Sequence, residues 1–265
     1  MRGPLVVSFL GFDANVVGYR YGGRHYADTF KRARIISVSS DFMANQLLAL
    51  DAPRDRLVKL PLGLPVMRYA FRERVLTRGE PVRLVTVARL TEVKGIDWGL
   101  RAVALLLQSG ALVEWDVIGD GPLRSQLEHL SEHLGITRAV RFHGARGSEF
   151  VREQLGSAHL CLYCGIRGQD GSEEALGGAV LEAQAVGLPV IATRVGGVPE
   201  GMIPGRSGLV VPQRDPAAIA TAVRDLISRA DEWPAMGHEG RRHVEQNYDA
   251  GRLNQQWVEL YRSLS

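Results

Sequence analysis

Four charged residues of this chain, Arg89, Lys94, Glu174 and Glu182, have the types and spacing to handle a polar, anionic ligand. Glu174 and Glu182 bracket the entry to a helix. Gly177-Gly178 can turn sharply and admit a ligand to the backbone, and the residues from Ala179 to Val186 are good helix formers. Free N–H groups at such a helix start favour an anion. Each carboxylate accepts two hydrogen bonds, which suits vicinal hydroxyls. Eight residues of ideal helix span about 12 Å, roughly the distance from sugar to ribose in a nucleotide diphosphate sugar. On spacing alone, two solvated glutamates flanking an ordinary βα turn would read the same way.

The cations add to this. Lys94 is the only lysine after Lys59, in a chain whose other later basic residues are all arginine. A lysine there hints that a compact point charge is wanted. Arg89 and Lys94 flank a loop after the Val-rich stretch Val82 to Val87. That is the C-terminal end of a strand, where open α/β sheets hold ligands.

These residues need a frame, and the chain supplies one. Val82–Val87, Glu114–Ile118, Val140–Gly144, His159–Tyr163, Val190–Ala192 and Gly208–Pro212 read as strands with helical stretches between them. Helices are expected at about 216–229 and 233–246, and a last one carries Leu253, Trp257, Leu260, Tyr261 and Leu264 on one face. Upstream, Pro4–Leu10, Arg34–Ser39 and Arg56–Leu60 read as strands. Arg24–Arg32 reads as a short helix, and Ser40 or Asp41 can cap another that runs to about Leu50. The polar stretch 63–81, with Gly79-Glu80-Pro81, reads as a linker.

Two other patterns carry less. His129-x-x-Glu132-His133 matches an inverted zinc-protease motif, but helical geometry turns both histidines off the stripe of Leu123, Leu127, Leu130 and Leu134, toward solvent. No metal site is expected. Cys161 and Cys164 have a redox-like spacing but lie on a strand, so packing is the reading.

Composition sets the outer bounds. Of 265 residues, 45% are hydrophobic and 23% charged, as in a soluble globular protein. No apolar run is long enough to span a membrane, and no signal peptide opens the chain, so a reducing cytoplasm is expected. The net charge of +3 is uneven: residues 1–80 hold thirteen basic and seven acidic residues, against nineteen and twenty-two in 81–265. A basic first segment suits anionic lipid head groups or a phosphate-bearing acceptor, hence a peripheral contact with the inner face of a membrane; a scattered basic surface is the alternative. Nucleic acid is not expected, since the basic residues are not interleaved with aromatics in a binding pattern.

Glu174-x7-Glu182, followed by Ala183-Gln184-Ala185-x-Gly187-x-Pro189-Val190 and Gly196-Gly197-Val198-Pro199-Glu200, resembles the donor-site signature of retaining glycosyltransferases of the GT-B fold, family 4. Where the family shows Gly-Leu-Pro after the first Glu, this chain has Ala175-Leu176-Gly177. Leu10 stands where the family has a His before Gly11-Phe12-Asp13. The loop Gly168–Leu181 and Gln184 are most similar to exopolysaccharide transferases of the colanic-acid type.

The resemblance implies an α/β, GT-B-like fold with one complete Rossmann-like domain and part of another. Residues 1–62 would be a partial, acceptor-side Rossmann segment and 63–81 a linker. Residues 82–246 would form the nucleotide-sugar-binding domain, and 247–265 a helix crossing back. It implies Arg89 and Lys94 on the donor diphosphate, and Glu174 with backbone groups of Leu176, Gly177 and Gly178 on the sugar. Glu182 would hold the ribose; Gly119, His143 and Gly144 would border the nucleotide. Asp13 is a candidate on the acceptor side. The donor is a nucleotide diphosphate sugar, the acceptor a glycan or lipid-linked molecule, and no cofactor is expected. A nucleotide-sugar-binding module without turnover is the alternative; a dehydrogenase is disfavoured because Ala88–Gly95 lacks Gly-x-Gly-x-x-Gly. With few strands before residue 62, the first segment is expected to expose an apolar sheet face and edge.

Overall fold

The computed structural model describes residues 3–264, arranged around two parallel sheets. In the first, β1 (Leu5–Phe9), β2 (Ala33–Val38) and β3 (Leu57–Lys59) pair in chain order. The helices α1 (Gly18–Tyr21), α2 (Ala27–Arg32) and α3 (Asp41–Leu48) connect them. Ser40 starts α3, its hydroxyl accepting from the Met43 N–H at 3.2 Å.

Strand alternation sends Val7, Phe9, Ile36 and Val38 to one face, where they pack with Phe30, Met43 and Leu47. The other face does not match the expected apolar surface throughout: Ser8 pairs with Ser37 there, their hydroxyls 2.7 Å apart. Apolar exposure gathers instead at the edge, where Leu5 of β1 is 39% exposed, and in the loop that follows, at Leu10 and Phe12.

The second sheet contains β4 (Val82–Val87), β5 (Val113–Ile118), β6 (Val140–Gly144), β7 (Leu160–Tyr163), β8 (Val190–Thr193) and β9 (Gly208–Val211). All pairs are parallel, in the order β6-β5-β4-β7-β8-β9. Counted from β4 this is 3-2-1-4-5-6, the doubly wound order whose direction reverses between β4 and β7.

The intervening helices are α4 (Ile96–Gln108), α5 (Arg124–His133), α6 (Ser148–Ser157), α7 (Gly178–Ala185) and α8 (Pro216–Ser228). They cover both faces, so neighbouring strand residues fall into separate cores. Leu84, Trp115 and Leu162 pack on one side; Val85, Ile118, Cys161 and Tyr163 on the other. The two cysteines are divided likewise, both buried and unpaired, and burial pushes the Cys161 thiol up to about 12. Leu127 of α5 faces the core, whereas His129, Glu132 and His133 are exposed.

Residues 63–81 are not a free linker. Val66 and Tyr69 are buried in the second sheet's core, and Arg74 is only 4% exposed. Its guanidinium donates to the carbonyls of Arg72, Leu155 and Val186 at 2.8–3.2 Å, and burial lowers its pKa to about 10. Polar composition suggested a solvated segment because a sequence does not reveal that an arginine will find three backbone acceptors in a core.

The chain returns through α9 (Trp233–Asn247) and α10 (Ala250–Ser263). Leu64 joins their junction, donating to the Tyr248 carbonyl at 2.7 Å and accepting from the Ala250 N–H at 2.9 Å. In α10, Leu253 is buried near Lys59 and Pro61, while Trp257, Leu260 and Leu264 are half-buried.

Candidate active site

The reversal in strand order opens a crevice beyond the C-terminal ends of β4 and β7, and the loops leaving those strands fill it with charge. After β4, Glu92–Lys94 forms a 3-10 turn that aims Lys94 across the crevice, while Arg89 is exposed at its mouth. Among the described residues the Arg89 guanidinium has no ion-pair or hydrogen-bond partner. After β7 the chain runs out to Glu174 and enters α7 through Gly177, at a φ of +82°. Only the last four of the eight steps from Glu174 to Glu182 are therefore helical.

The loop is fixed by its backbone. Three consecutive carbonyls each have a donor: Glu173 from the Asn15 side-chain amide at 2.9 Å, Glu174 from the Gly197 N–H at 2.9 Å, and Ala175 from the Ser40 hydroxyl at 2.6 Å. The middle bond requires glycine at 196, because φ is +49° and a Cβ would overlap the Glu174 carbonyl. Two of the three donors come from the first sheet's segment. That segment is held in turn by Glu200, whose carboxylate accepts from the Asp41 and Phe42 N–H groups at 2.7 and 2.8 Å and binds Lys59 at 3.0 Å. A carboxylate of one domain thus caps a helix of the other. Ala175, the departure from the family's Gly, packs against the first sheet's core.

These contacts enclose a cavity of about 450 Å³. Arg89, Lys94, Glu174, Leu176, Gly177 and Gly178 all line it, brought together from two loops and a helix start. Lys94 and Glu174 are in direct ionic contact. Burial raises the pKa of the neighbouring Glu173, which Arg167 approaches at 3.4 Å.

The other sequence candidates lie elsewhere. Glu182 does not line this cavity; it accepts from the Tyr69 hydroxyl at 3.1 Å. Burial raises its pKa, and burial with the carboxylate pushes Tyr69 up to about 12. Gly119 donates to the Gly144 carbonyl at 2.9 Å, tying the ends of β5 and β6, and His143 binds Asp116 at 2.7 Å. Asp13 is also outside the cavity: its carboxylate accepts from the N–H groups of Leu10, Gly11 and Ala14, and so shapes the loop that presents Leu10, Gly11 and Phe12.

Sequence reasoning missed Asn15, Ser40 and Glu200. Glu200 stood inside the recognised motif, Ser40 was read only as a helix cap and Asn15 lies two residues after Asp13, but nothing in a sequence signals which distant backbone group a side chain will reach.

Two parallel α/β sheets facing each other across such a crevice constitute the GT-B glycosyltransferase architecture. The chain belongs to the glycosyl transferases group 1 family, whose model matches residues 81–229. WcaL of Salmonella typhimurium, a glycosyltransferase assigned to colanic acid biosynthesis, is 29% identical over 100% of this chain and 65% of the relative. A GDP-mannose-dependent alpha-(1-6)-phosphatidylinositol monomannoside mannosyltransferase of Mycolicibacterium smegmatis is 31% identical over 82% of this chain and 59% of the relative. The solved structure of Anabaena Alr3699/HepE in complex with UDP matches with a TM-score of 0.84 at 18% identity, over 98% of this chain and 72% of that one. The chain thus spans less than two thirds of the length of the two curated relatives.

Proposed function

We propose that this chain carries the donor site of a glycosyltransferase that moves a sugar from a nucleotide diphosphate sugar to a glycan or lipid-linked acceptor, with retention at the anomeric carbon. The observation that carries this reading is the convergence of Arg89, Lys94 and Glu174 on one cavity at the start of α7. Two cations and the N–H groups of a helix start suit a diphosphate, and during transfer they would offset the charge growing on that leaving group. Glu174 would accept from the sugar hydroxyls. The similar proteins' names mention GDP-mannose and UDP, whose common part is a ribose carrying a diphosphate.

Glu182 is assigned to the ribose, with Tyr69 sharing its carboxylate, and the Gly119–Gly144 bridge with His143 to the nucleotide side. Retention follows from the family resemblance: the leaving diphosphate and acceptor share one face of the sugar, and no protein nucleophile is needed. The first sheet's side of the cavity carries the exposed Leu10, Phe12 and Leu62, which suits an acceptor with a lipid part presented at the cytoplasmic face of a membrane. Among the described residues, no helix is long and apolar enough to cross one.

Calorimetric titration of the chain with UDP, GDP and their sugars tests the donor assignment; binding of a diphosphate but not of the free nucleoside is expected. No binding of any diphosphate overturns it. Nuclear magnetic resonance of the transferred anomeric centre tests retention, and an inverted product refutes it.

A further inference from the structure

A second cavity, of about 600 Å³, shares two loops with the donor cavity. In the loop after β4, Glu92 lines the second cavity while Val93 and Lys94 line the donor cavity. In the loop after β7, Ile166 and Gln169 line the second cavity and Ser172 to Gly178 the donor cavity. The loops are tied together. The Ile166 N–H donates to the Val93 carbonyl at 2.9 Å, and a Cβ at Gly95 would overlap the Cys164 carbonyl.

The volume is that of a small-molecule site. Its floor is apolar: Leu127 and Ile166 are 5% and 4% exposed, with the half-buried Trp98 and Leu130 beside them. Its rim is polar and carries both signs. Glu92 and Asp97 bring carboxylates, Gln126 and Gln169 carboxamides, and Arg214 a guanidinium that donates to the Arg167 carbonyl at 2.6 Å. Among the described residues the side chains of Glu92, Gln126 and Gln169 have no hydrogen-bond or ion-pair partner.

Two carboxylates disfavour an anion, and the guanidinium disfavours a cation. Carboxylate, amide and guanidinium together suit a neutral molecule whose groups both donate and accept, as hydroxyls do. The C–H face of a pyranose also carries the slight positive charge that the face of an indole attracts. We infer that this cavity is a binding site for a neutral oligosaccharide, separate from the donor cavity, with Trp98 against a sugar ring and the rim on its hydroxyls. Because the two cavities share loops, occupancy of one changes the affinity of the other. That linkage, unlike the site itself, rests on the proposed function.

Calorimetric titration with maltose, cellobiose and α-1,6-mannobiose, and with glucose and mannose, tests the site. Saturable binding of a disaccharide is expected, tighter than that of either monosaccharide. Trp98→Ala should weaken it about fivefold or more. The exposed pair Gln126→Ala and Gln169→Ala should together do the same, and decides the matter if Trp98→Ala fails to fold. Without saccharide, the glutamine variants should bind UDP as wild type does. With the disaccharide at saturation, the UDP affinity of wild type should shift about twofold or more.

No binding of any disaccharide, or binding that survives every one of these variants, overturns the site. Monosaccharides that bind as tightly make it a pocket for free sugars and overturn the oligosaccharide. An unchanged UDP affinity overturns the linkage alone. A chain that binds a disaccharide but neither UDP nor GDP loses the proposed function and keeps the site.

Discussion

The two sheets divide the labour unequally. Among the described residues, the six-stranded sheet, covered on both faces, supplies every charged group that lines the candidate donor cavity, whereas the three-stranded sheet supplies side chains that pin the loop's backbone and the exposed apolar residues Leu10, Phe12 and Leu62. Arg89, Lys94 and Glu174 emerge from strands packed in two cores, while Asn15 and Ser40 reach over from a segment with one smaller core, where α2 and α3 pack. A site's chemistry and its rigidity can therefore come from different domains. A charge placed by a strand end still needs its loop immobilised, and here that falls partly to the less buttressed sheet.

The comparison breaks most readily at Lys94. If affinity resides in the six-stranded sheet, Lys94→Ala should cost roughly 1.5–3 kcal/mol, or about ten- to a hundredfold in nucleoside diphosphate affinity. Titration of the folded variant measures it. Unchanged affinity would take Lys94 out of the site.

Next comes the clasp. Glu200→Ala removes the carboxylate that caps α3 and one of the two carboxylates on Lys59, which keeps Asp41 at 2.7 Å, and should cost about 0.5–2 kcal/mol. Hydrogen exchange should then quicken across β1–β3 while β4–β9 keep their protection. Uniform loosening of both sheets would show that they are one cooperative unit.

A smaller effect is expected at Ser40. Ser40→Ala loses the bond to the Ala175 carbonyl and the helix cap on Met43, about 1 kcal/mol together with the loop's anchoring. Sugar-bearing donors should lose more affinity than the bare diphosphates, because the loop positions Glu174. Equal losses would confine Ser40 to stability.

The smallest effect concerns Glu182. Burial raises its folded-state pKa above the ordinary value near 4.5, so folding favours the protonated form. That contribution is complete below the ordinary value and is lost as pH rises through the raised one. Glu182→Gln stays neutral throughout, so its stability relative to wild type should improve across that window and level off above it. Urea melts at a series of pH values check this. A flat difference would mean that burial does not govern Glu182. The same variant should narrow the preference for ribonucleotides over 2′-deoxy analogues, if the ribose assignment holds.

What the sequence determined was whatever repeats locally. Runs rich in Val, Leu and Ile, such as Val82–Val87 and Val190–Ala192, marked the strands, since a strand buried on both faces is mostly apolar. Ser40 announced a cap, and Gly177-Gly178 a turn into α7, because those conformations restrict residue type at the position itself. The motif around Glu174 gave the family, and through it the cavity-lining set from Arg89 to Gly178.

Tertiary structure decided the rest, for reasons of distance along the chain. Asn15 meets Glu173, Ser40 meets Ala175 and Glu200 meets Asp41 across more than 130 intervening residues. No local pattern encodes such meetings, because any side-chain donor can serve any carbonyl, and any side-chain acceptor any N–H, that comes within reach. Arg74 sank into a core for the same reason, and Glu182 turned to Tyr69 instead of the cavity. Even the pairing of Lys94 with Glu174 followed from strand order, which sets β4 beside β7 with two other strands intervening in sequence.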